Sequence, residues 1–224
     1  MQYREILKKL KSLSDPKAVT GMARFGIDIS KAYGISAPTL RKLAKTIGTN
    51  HALAQRLWAS GIRETRILAA LIDDPQLVTA AQMESWVKDF HSWDICDACC
   101  GNLFDKTPFA YRKAVEWSKR KEEFVKRAGF VLMASLAVHD KEVRDEVFIK
   151  FLPLIKKHAV DERNFVKKAV NWALRQIGKR SRSLNRAAIK TAKAIQKIDS
   201  RAARWIAADA LRELTSAKIK NRLR

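Results

Sequence analysis

Apolar positions along this chain recur at intervals of three and four residues, and period-two alternation is nearly absent. Such spacing places apolar side chains on one face of successive helices, so it predicts an all-α protein. Helix-start signals, in which a capping acceptor precedes a proline, and helix-stop glycines separate the segments. These signals are Asp15-Pro16, Asp74-Pro75, Thr107-Pro108, Gly48, Gly61 and Gly178. The predicted helices span about 1–13, 16–25, 38–47, 51–60, 63–72, 80–90, 93–104, 108–119, 122–138, 141–157, 161–177, 184–197, 200–214 and 216–222.

Four of these helices begin with a cation that is followed by an alanine-rich apolar stretch. The cations are Arg66, Arg127, Lys168 and Arg204, and Asp97 divides the first and longest interval. Irregular helical pairs of this length are typical of a HEAT-like solenoid. We therefore predict one HEAT-like repeat domain over residues 1–224, with these cations in a column along a basic concave groove. The alternative is that each cation only occupies an exposed helix start.

Charge indicates the class of partner. The chain has 45 Lys and Arg against 23 Asp and Glu, a net charge of +22, and residues 175–224 alone hold 15 basic and 3 acidic residues. An excess this large favours a polyanion, with nucleic acid first. Two alternatives stay open, namely an anionic membrane surface, disfavoured because no polybasic run adjoins an anchor, and a basic protein that adheres non-specifically.

The expected compartment is the cytoplasm. No apolar run approaches the roughly 20 residues that span a bilayer, and the N-terminal segment lacks the apolar core of a signal peptide. The three cysteines lie within five residues, which is not a secreted disulfide framework. Cys96 and Cys99 fall inside a predicted helix instead of at a turn, so we interpret them as small buried hydrophobic residues and expect no metal or other cofactor.

Asp97 is the second of two acids in the stretch HSWDICDACC at positions 91–100. Trp93 is predicted to open a helix, which places Trp93 and Asp97 one turn apart on the same face. A buried carboxylate is costly unless it is paired or used. Asp97 is therefore either the partner of Arg66 or Arg127 in a salt bridge between repeats, or a functional group.

Two further interpretations concern neighbouring residue types. Asp94, near the start of the same helix, is interpreted as an acid that stabilises the helix dipole. Trp172 has Lys168 one turn before it and Arg175 about one turn after it, so we treat it with Trp93 as a candidate site residue. The other tryptophans are expected in the core, and they are Trp58, Trp86, Trp117 and Trp205.

Five motifs, taken in order and with their spacing, resemble one known family. They are Met22-Ala23-Arg24-Phe25, GISAPTLR at 34–41, SWDICD at 92–97, Lys126-Arg127-Ala128 and FVKKAVNWALR at 165–175. Over most of its length the chain resembles the bacterial HEAT-like-repeat DNA glycosylases of the AlkD type, in the DNA alkylation repair family.

The resemblance implies roles for individual residues. Asp97 matches the family's catalytic aspartate, and Trp93 and Trp172 match the tryptophans that flank the sugar of the damaged nucleotide. Arg127 matches an arginine that contacts backbone phosphate. Phe25 stands where better-studied members have tyrosine, so a hydroxyl is missing there. The expected DNA-binding set is Arg127, Lys168, Arg41, Phe25 and Arg66.

The implied activity is hydrolysis of the N-glycosidic bond of cationic alkylated purines, such as 3-methyladenine and 7-methylguanine, in duplex DNA. Such a base leaves as a neutral molecule, so a carboxylate that stabilises the oxocarbenium-like sugar is the main catalytic need. We expect a monomer that binds DNA without a tight base-flipping pocket and is associated with the bacterial nucleoid. The alternative functions are a non-catalytic HEAT-repeat scaffold that binds DNA, and one that binds RNA.

Overall fold

The structure is a computed structural model that describes residues 1–223, and within these residues it contains helices and no strand. The all-α prediction is confirmed. Contacts group the chain into two compact units, Met1–Thr107 and a second that begins at Pro108. The single repeat domain expected over residues 1–224 stays a prediction. No helix in the described range is both long and apolar enough to cross a membrane.

The first unit is organised around one buried helix. Its helices are α1 (Tyr3–Ser12), α2 (Pro16–Ala23), α3 (Ala37–Ile47), α4 (His51–Ala59), α5 (Arg63–Ile72), α6 (Ala80–Lys88) and α7 (Trp93–Asn102), followed by a 3₁₀ turn at Phe104–Lys106. Helix α5 packs against α3, α4 and α7. Its residues Leu68, Ala69 and Ala70 are almost completely buried, which fixes α3 and α7 on the same support.

The second unit consists of two layers of helices. Its helices are α8 (Ala110–Ser118), α9 (Glu123–His139), α10 (Asp145–Ile149), α11 (Leu152–His158), α12 (Asn164–Gly178), α13 (Arg182–Gln196), α14 (Arg201–Leu214) and α15 (Ala217–Arg222). Helix α12 packs beside both α9 and α14 in one layer. Helices α10 and α11 pack beside α13, and α11 and α13 also contact the first layer, so the small residues of α9, α12 and α14 are buried between helices.

The helix predicted over 141–157 is wrong, because two short helices, α10 and α11, occupy this segment. Pro153 is the second residue of α11. A proline there has no N–H to donate and its ring clashes with the carbonyl group four residues earlier, at Ile149. The chain therefore breaks after Ile149 and restarts at Leu152.

The predicted start and stop signals have mixed outcomes. The Asp15 side chain accepts from the backbone N–H groups of Lys17 and Ala18, as a helix cap should. The other two proline signals do not begin helices directly, since α6 starts at Ala80 after a Thr79 cap and α8 starts at Ala110.

Gly178 was predicted to follow a helix, and that prediction is wrong. It is the last residue of α12, and a Cβ atom at this position would lie 2.7 Å from Leu214 Cδ2 and 2.9 Å from Ala188 Cβ. Its role is to let α12 approach α13 and α14 closely. Gly48 and Gly61 have φ values of +75° and +70°, so their helix-stop role is confirmed.

Candidate active site

The first unit contains a cleft of about 320 Å³ that lies against three helices. Helix α5 supplies Arg63, Ile67 and Leu71, which are spaced by four residues and so share one face. Helix α3 contributes Ala37 and Arg41 in the same register, and Ile27 of the preceding loop joins them. The face of α7 toward the cleft carries Trp93, Asp94, Asp97, Ala98 and Asn102.

Asp97 and Trp93 line this cleft together, as their one-turn spacing predicted. Helix α7 begins at Trp93, with Ser92 as its N-cap residue. Both Trp93 and Asp97 are half-buried, whereas the neighbouring Cys96 and Cys100 of α7 are fully buried. The carboxylate thus reaches the cleft at the boundary between core and solvent.

The Trp93 ring is held by the loop that follows α2. Its indole N–H donates to the carbonyl oxygen of Phe25 at 2.9 Å. The Phe25 ring itself is 71% exposed, and it is the most exposed large hydrophobic side chain in the described range. Because the contact uses the backbone of Phe25, it fixes the tryptophan and leaves the phenylalanine ring available to a partner.

A buried ionic network supports the cleft from beneath. The Arg63 guanidinium donates from Nε to Asp94 at 2.5 Å and from Nη1 to Glu64 at 2.9 Å. Asp94 also accepts from the Ser92 hydroxyl at 2.6 Å. Asp94 was predicted as a dipole-stabilising acid at a helix start, and the structure shows in addition that it ties α7 to α5.

The same network holds the loop before α3. The carboxylate of Glu64, which is fully buried, accepts from the backbone N–H groups of Tyr33, Gly34 and Ile35 at 2.8, 3.0 and 3.3 Å. Gly34 has φ +79°, and a Cβ atom there would lie 2.3 Å from the Asp15 carbonyl oxygen. Only glycine fits, so this loop delivers α3 and its Arg41 to the cleft in one position.

Comparison with known proteins identifies the family. The model of the family described as DNA alkylation repair enzyme matches residues 6–214. This chain belongs to that family. A solved structure from a work on "a new family of proteins related to the HEAT-like repeat DNA glycosylases with affinity for branched DNA structures" is also similar, with 19% identity, a TM-score of 0.78 and 96% of each chain covered. That likeness confirms the HEAT-like repeat fold. No curated protein gives a significant sequence match.

Arg66, one of the residues predicted to bind DNA, is not among the residues that line the cleft. Its guanidinium stacks 5.1 Å from the centroid of the Trp58 ring, and its carboxylate partner is Asp89, at 3.3 Å. It also donates to the Asp89 carbonyl oxygen at 3.1 Å. These contacts give Arg66 a role in packing α5 on α4, and its part in DNA binding stays a prediction.

The second unit carries three of the predicted family residues. Arg127 is buried in α9 and donates to the Phe165 carbonyl oxygen at 2.7 Å, next to the start of α12. Lys168 is exposed on α12, and Trp172, one turn later, is half-buried. The predicted phosphate, DNA and sugar contacts of these residues stay predictions.

Helix α12 is fixed to α14 by polar contacts on the turns around Trp172. Asn171 donates to Asp209 at 2.7 Å, and Arg175 donates to Glu213 at 2.8 Å. Burial would raise the pKa of Glu213, but the cations of Lys179 and Arg175 outweigh it and hold that pKa below the ordinary value. These contacts orient the face of α12 that carries Trp172.

Two predictions about residue types had different outcomes. The cysteines are buried as predicted, and burial raises the pKa of the Cys99 and Cys100 thiols well above the ordinary value, so both are protonated at neutral pH.

Trp205 was expected in the core, and that is wrong. Its side chain is 41% exposed, and the Lys167 ammonium lies 5.6 Å from its ring centroid.

Sequence reasoning missed two polar residues of the cleft. Arg63 precedes Ile67 by four residues, so helical spacing predicts that both lie on the same face of α5. The alignment of the repeated motifs favoured Arg66 instead. Asn102 follows Ala98 by four residues and its amide donates to the Ala98 carbonyl oxygen at 2.7 Å. No local signal distinguished it from a solvent-exposed asparagine.

Proposed function

We propose that this protein is a DNA glycosylase that hydrolyses the N-glycosidic bond of cationic alkylated purines in duplex DNA. The observation that carries the proposal is the position of Asp97, half-buried on the cleft face of α7 beside Trp93. Membership of a DNA alkylation repair enzyme family supports it. Membership of the family supports a role in alkylation repair, and the cleft offers one carboxylate suited to the chemistry.

The proposed reaction needs charge stabilisation more than acid catalysis. A purine alkylated at N3 or N7 carries a positive charge and leaves as a neutral base, so no proton has to be delivered to it. As the C1′–N bond breaks, positive charge develops on the sugar. The Asp97 carboxylate stabilises this charge and orients the attacking water, and the π face of Trp93 favours the same charge.

Three neighbouring residues of the first unit complement Asp97 in this role. The Arg63–Asp94 ion pair neutralises the neighbouring acid, so Asp94 is engaged in the support of the cleft. Arg41 on α3 is exposed at the cleft and provides a cation for a phosphate oxygen. Phe25 offers its exposed ring for contact with a sugar or base face.

The second unit is proposed to bind the DNA backbone. Lys168 is exposed and has no carboxylate partner in residues 1–223, which suits a contact with phosphate. Trp172 supplies an aromatic face for the sugar, and Arg127 a further phosphate contact, as the resemblance implies. We further propose that the protein acts as a monomer in the bacterial cytoplasm, at the nucleoid.

A base-release assay tests the proposal. Randomly methylated duplex DNA is incubated with the wild type, with Asp97→Asn and with Asp74→Asn, and released 3-methyladenine and 7-methylguanine are measured by chromatography. Asp74 is a suitable control because it is also half-buried and lies outside the cleft. We expect Asp97→Asn to lower the rate by about 100- to 1,000-fold and Asp74→Asn to leave it unchanged. Equal release by all three proteins would remove Asp97 from the mechanism.

The second candidate function is a non-catalytic DNA-binding scaffold. It is favoured by the affinity for branched DNA attributed to the structurally similar family. If Asp97 only repels phosphate, Asp97→Ala should tighten binding to every duplex and leave base release unchanged. A preference for A-form RNA over duplex DNA in competition binding at fixed salt would instead indicate an RNA scaffold.

A further inference from the structure

One helix of the second unit, α13, lies in a strongly basic segment and is not used by the proposed active site. Residues 163–198 contain 11 Lys and Arg and no Asp or Glu. Five of these cations belong to α13 and its C-cap residue, and they are Arg182, Arg186, Lys190, Lys193 and Lys197. Neither the family resemblance nor the proposed chemistry gives this helix a role.

The five cations form one stripe along α13. Their spacing of four, four, three and four residues keeps them on one face of an α-helix, and all five are exposed. The buried residues Leu184, Ala188, Ala192 and Ile195 repeat with the same spacing, two positions later. Two positions correspond to roughly 200° around the helix, so the cationic stripe is opposite the buried stripe.

The stripe therefore points away from the layer that carries Lys168 and Trp172. The buried face of α13 packs against α12 and α14, since Ala188 lies where a Cβ atom on Gly178 would be only 2.9 Å away. In a two-layer arrangement the exposed faces of the layers are on opposite sides. The surface on α13 is thus separate from the α12 surface proposed to bind DNA.

Four of the five cations of this stripe are not used for ion pairs within residues 1–223. Within residues 1–223, Arg186, Lys190, Lys193 and Lys197 have no carboxylate within 4.0 Å, whereas Arg175 of α12 is paired with Asp209 and Glu213. Two depressions run along α13, one of about 480 Å³ between its lysines and Lys156 of α11, the other of about 290 Å³ beside Arg182 and Lys220. The surface is therefore cationic and concave in two places.

We propose that the outward face of α13, with Lys156 of α11, binds the phosphate backbone of a second duplex DNA segment. From Arg182 to Lys197 the stripe is about 22 Å long, at 1.5 Å per residue. A duplex of that length carries about 13 phosphates, enough to meet every cation of the stripe. With the α12 surface on the opposite side, one chain then holds two duplex segments at once.

The composition of the face favours DNA over a membrane. The exposed residues of α13 and its C-cap are Arg182, Ser183, Arg186, Lys190, Lys193, Gln196 and Lys197, none of them apolar. A helix that lies in a membrane interface inserts large apolar side chains between the lipid head groups. This face has no large apolar side chain. A rigid polyanion such as duplex DNA, held by charge alone, is therefore the partner that fits it.

A bridging experiment tests this surface without depending on base release. Two undamaged duplexes, one labelled with a donor dye and one with an acceptor, are mixed with the protein, and energy transfer reports a bridge. The test variant carries Arg186→Gln, Lys190→Gln, Lys193→Gln and Lys197→Gln. The matched control removes four exposed cations of the first unit, with Lys8→Gln, Lys9→Gln, Lys11→Gln and Lys17→Gln. Circular dichroism confirms that both variants fold.

We expect wild type and control to bridge the duplexes and the α13 variant to bind one duplex without bridging. Sedimentation should show one chain per two duplexes for the wild type. The salt dependence of binding to the second duplex, log K against log [salt], should have a slope of about −5. No bridging by the wild type, bridging only through protein dimers, or equal loss in both variants would overturn the proposal. So would loss of binding to phosphatidylglycerol vesicles in the α13 variant with bridging intact.

Discussion

The indole N–H of Trp93 donates to the carbonyl oxygen of Phe25, 68 residues earlier in the chain, at 2.9 Å. The bond joins the first residue of α7 to the loop after α2, so the aromatic ring beside Asp97 is positioned by tertiary structure and not by its helix alone. The acceptor is a backbone atom. The bond therefore does not depend on the side chain at position 25, whereas a side chain without a donor at position 93, such as phenylalanine, cannot make it.

Replacement of the donor should lower activity without removing the aromatic ring. We expect Trp93→Phe to reduce base release by about 2- to 10-fold, the loss that corresponds to one hydrogen bond of roughly 0.5–1.5 kcal/mol. Single-turnover assays on methylated duplex measure the effect. If Trp93→Phe and Trp93→Ala lose activity equally, the ring face contributes nothing and the idea that it stabilises the sugar fails.

Two acids of α7, three residues apart, should differ in what they stabilise. Asp94→Asn weakens the buried Arg63 ion pair, so we expect it to lower the free energy of unfolding by roughly 2–4 kcal/mol. Asp97→Asn, half-exposed to the cleft, should change stability less and base release more. Urea denaturation of both variants makes the comparison, and a greater loss of stability from Asp97→Asn would contradict it.

The close approach of α8 and α9 depends on Gly129. A Cβ atom at this position would lie 2.3 Å from the Ser118 backbone nitrogen and 2.9 Å from the Ala114 carbonyl oxygen. Because backbone atoms cannot rotate away, Gly129→Ala should destabilise the protein by about 1–3 kcal/mol or more. The control is Gly21→Ala, in α2, where no atom lies within 4 Å of the new methyl group. That change should stabilise by about 0.5–1 kcal/mol, and thermal unfolding distinguishes the two.

The Glu213 contacts should make stability depend on pH in the acid range. The pKa of Glu213 is lower in the folded chain than its ordinary value of 4.5, because Lys179 and Arg175 outweigh the opposing effect of burial. The contribution of the Glu213 carboxylate to the free energy of unfolding is therefore complete above about pH 4.5. It is lost as the pH falls through the pKa of the folded state.

We expect Glu213→Gln to cost roughly 0.5–1.5 kcal/mol at pH 7 and clearly less at pH 3. Glu146→Gln, at an exposed Arg144 pair 3.8 Å apart, is the control and should change little at either pH. Chemical denaturation at the two pH values gives the difference. A cost for Glu213→Gln that is the same at both would show that the carboxylate's charge does not stabilise the α12–α14 contact.

The sequence predicted several local features because they depend on neighbours along the chain. The boundaries of α5 at residues 63–72 were predicted from apolar spacing and the start of α7 at Trp93 from Ser92 before it, and both are confirmed. It also predicted that Trp93 and Asp97 share a face, since residues four apart on a helix do. The split of 141–157 was missed because the expected apolar period outweighed the effect of Pro153.

Only the tertiary structure decided which charges support the cleft and which lie at its surface. Arg63 pairs with Asp94 across 31 residues, and Arg66, favoured by the repeat pattern, bonds to Asp89. Helical periodicity assigns each side chain to a face, but the partner that a face meets is set by how helices pack. The sequence therefore determined an all-α chain with a carboxylate and a tryptophan on one helix face. The packing of α3, α5 and α7 determined that this face lines a cleft.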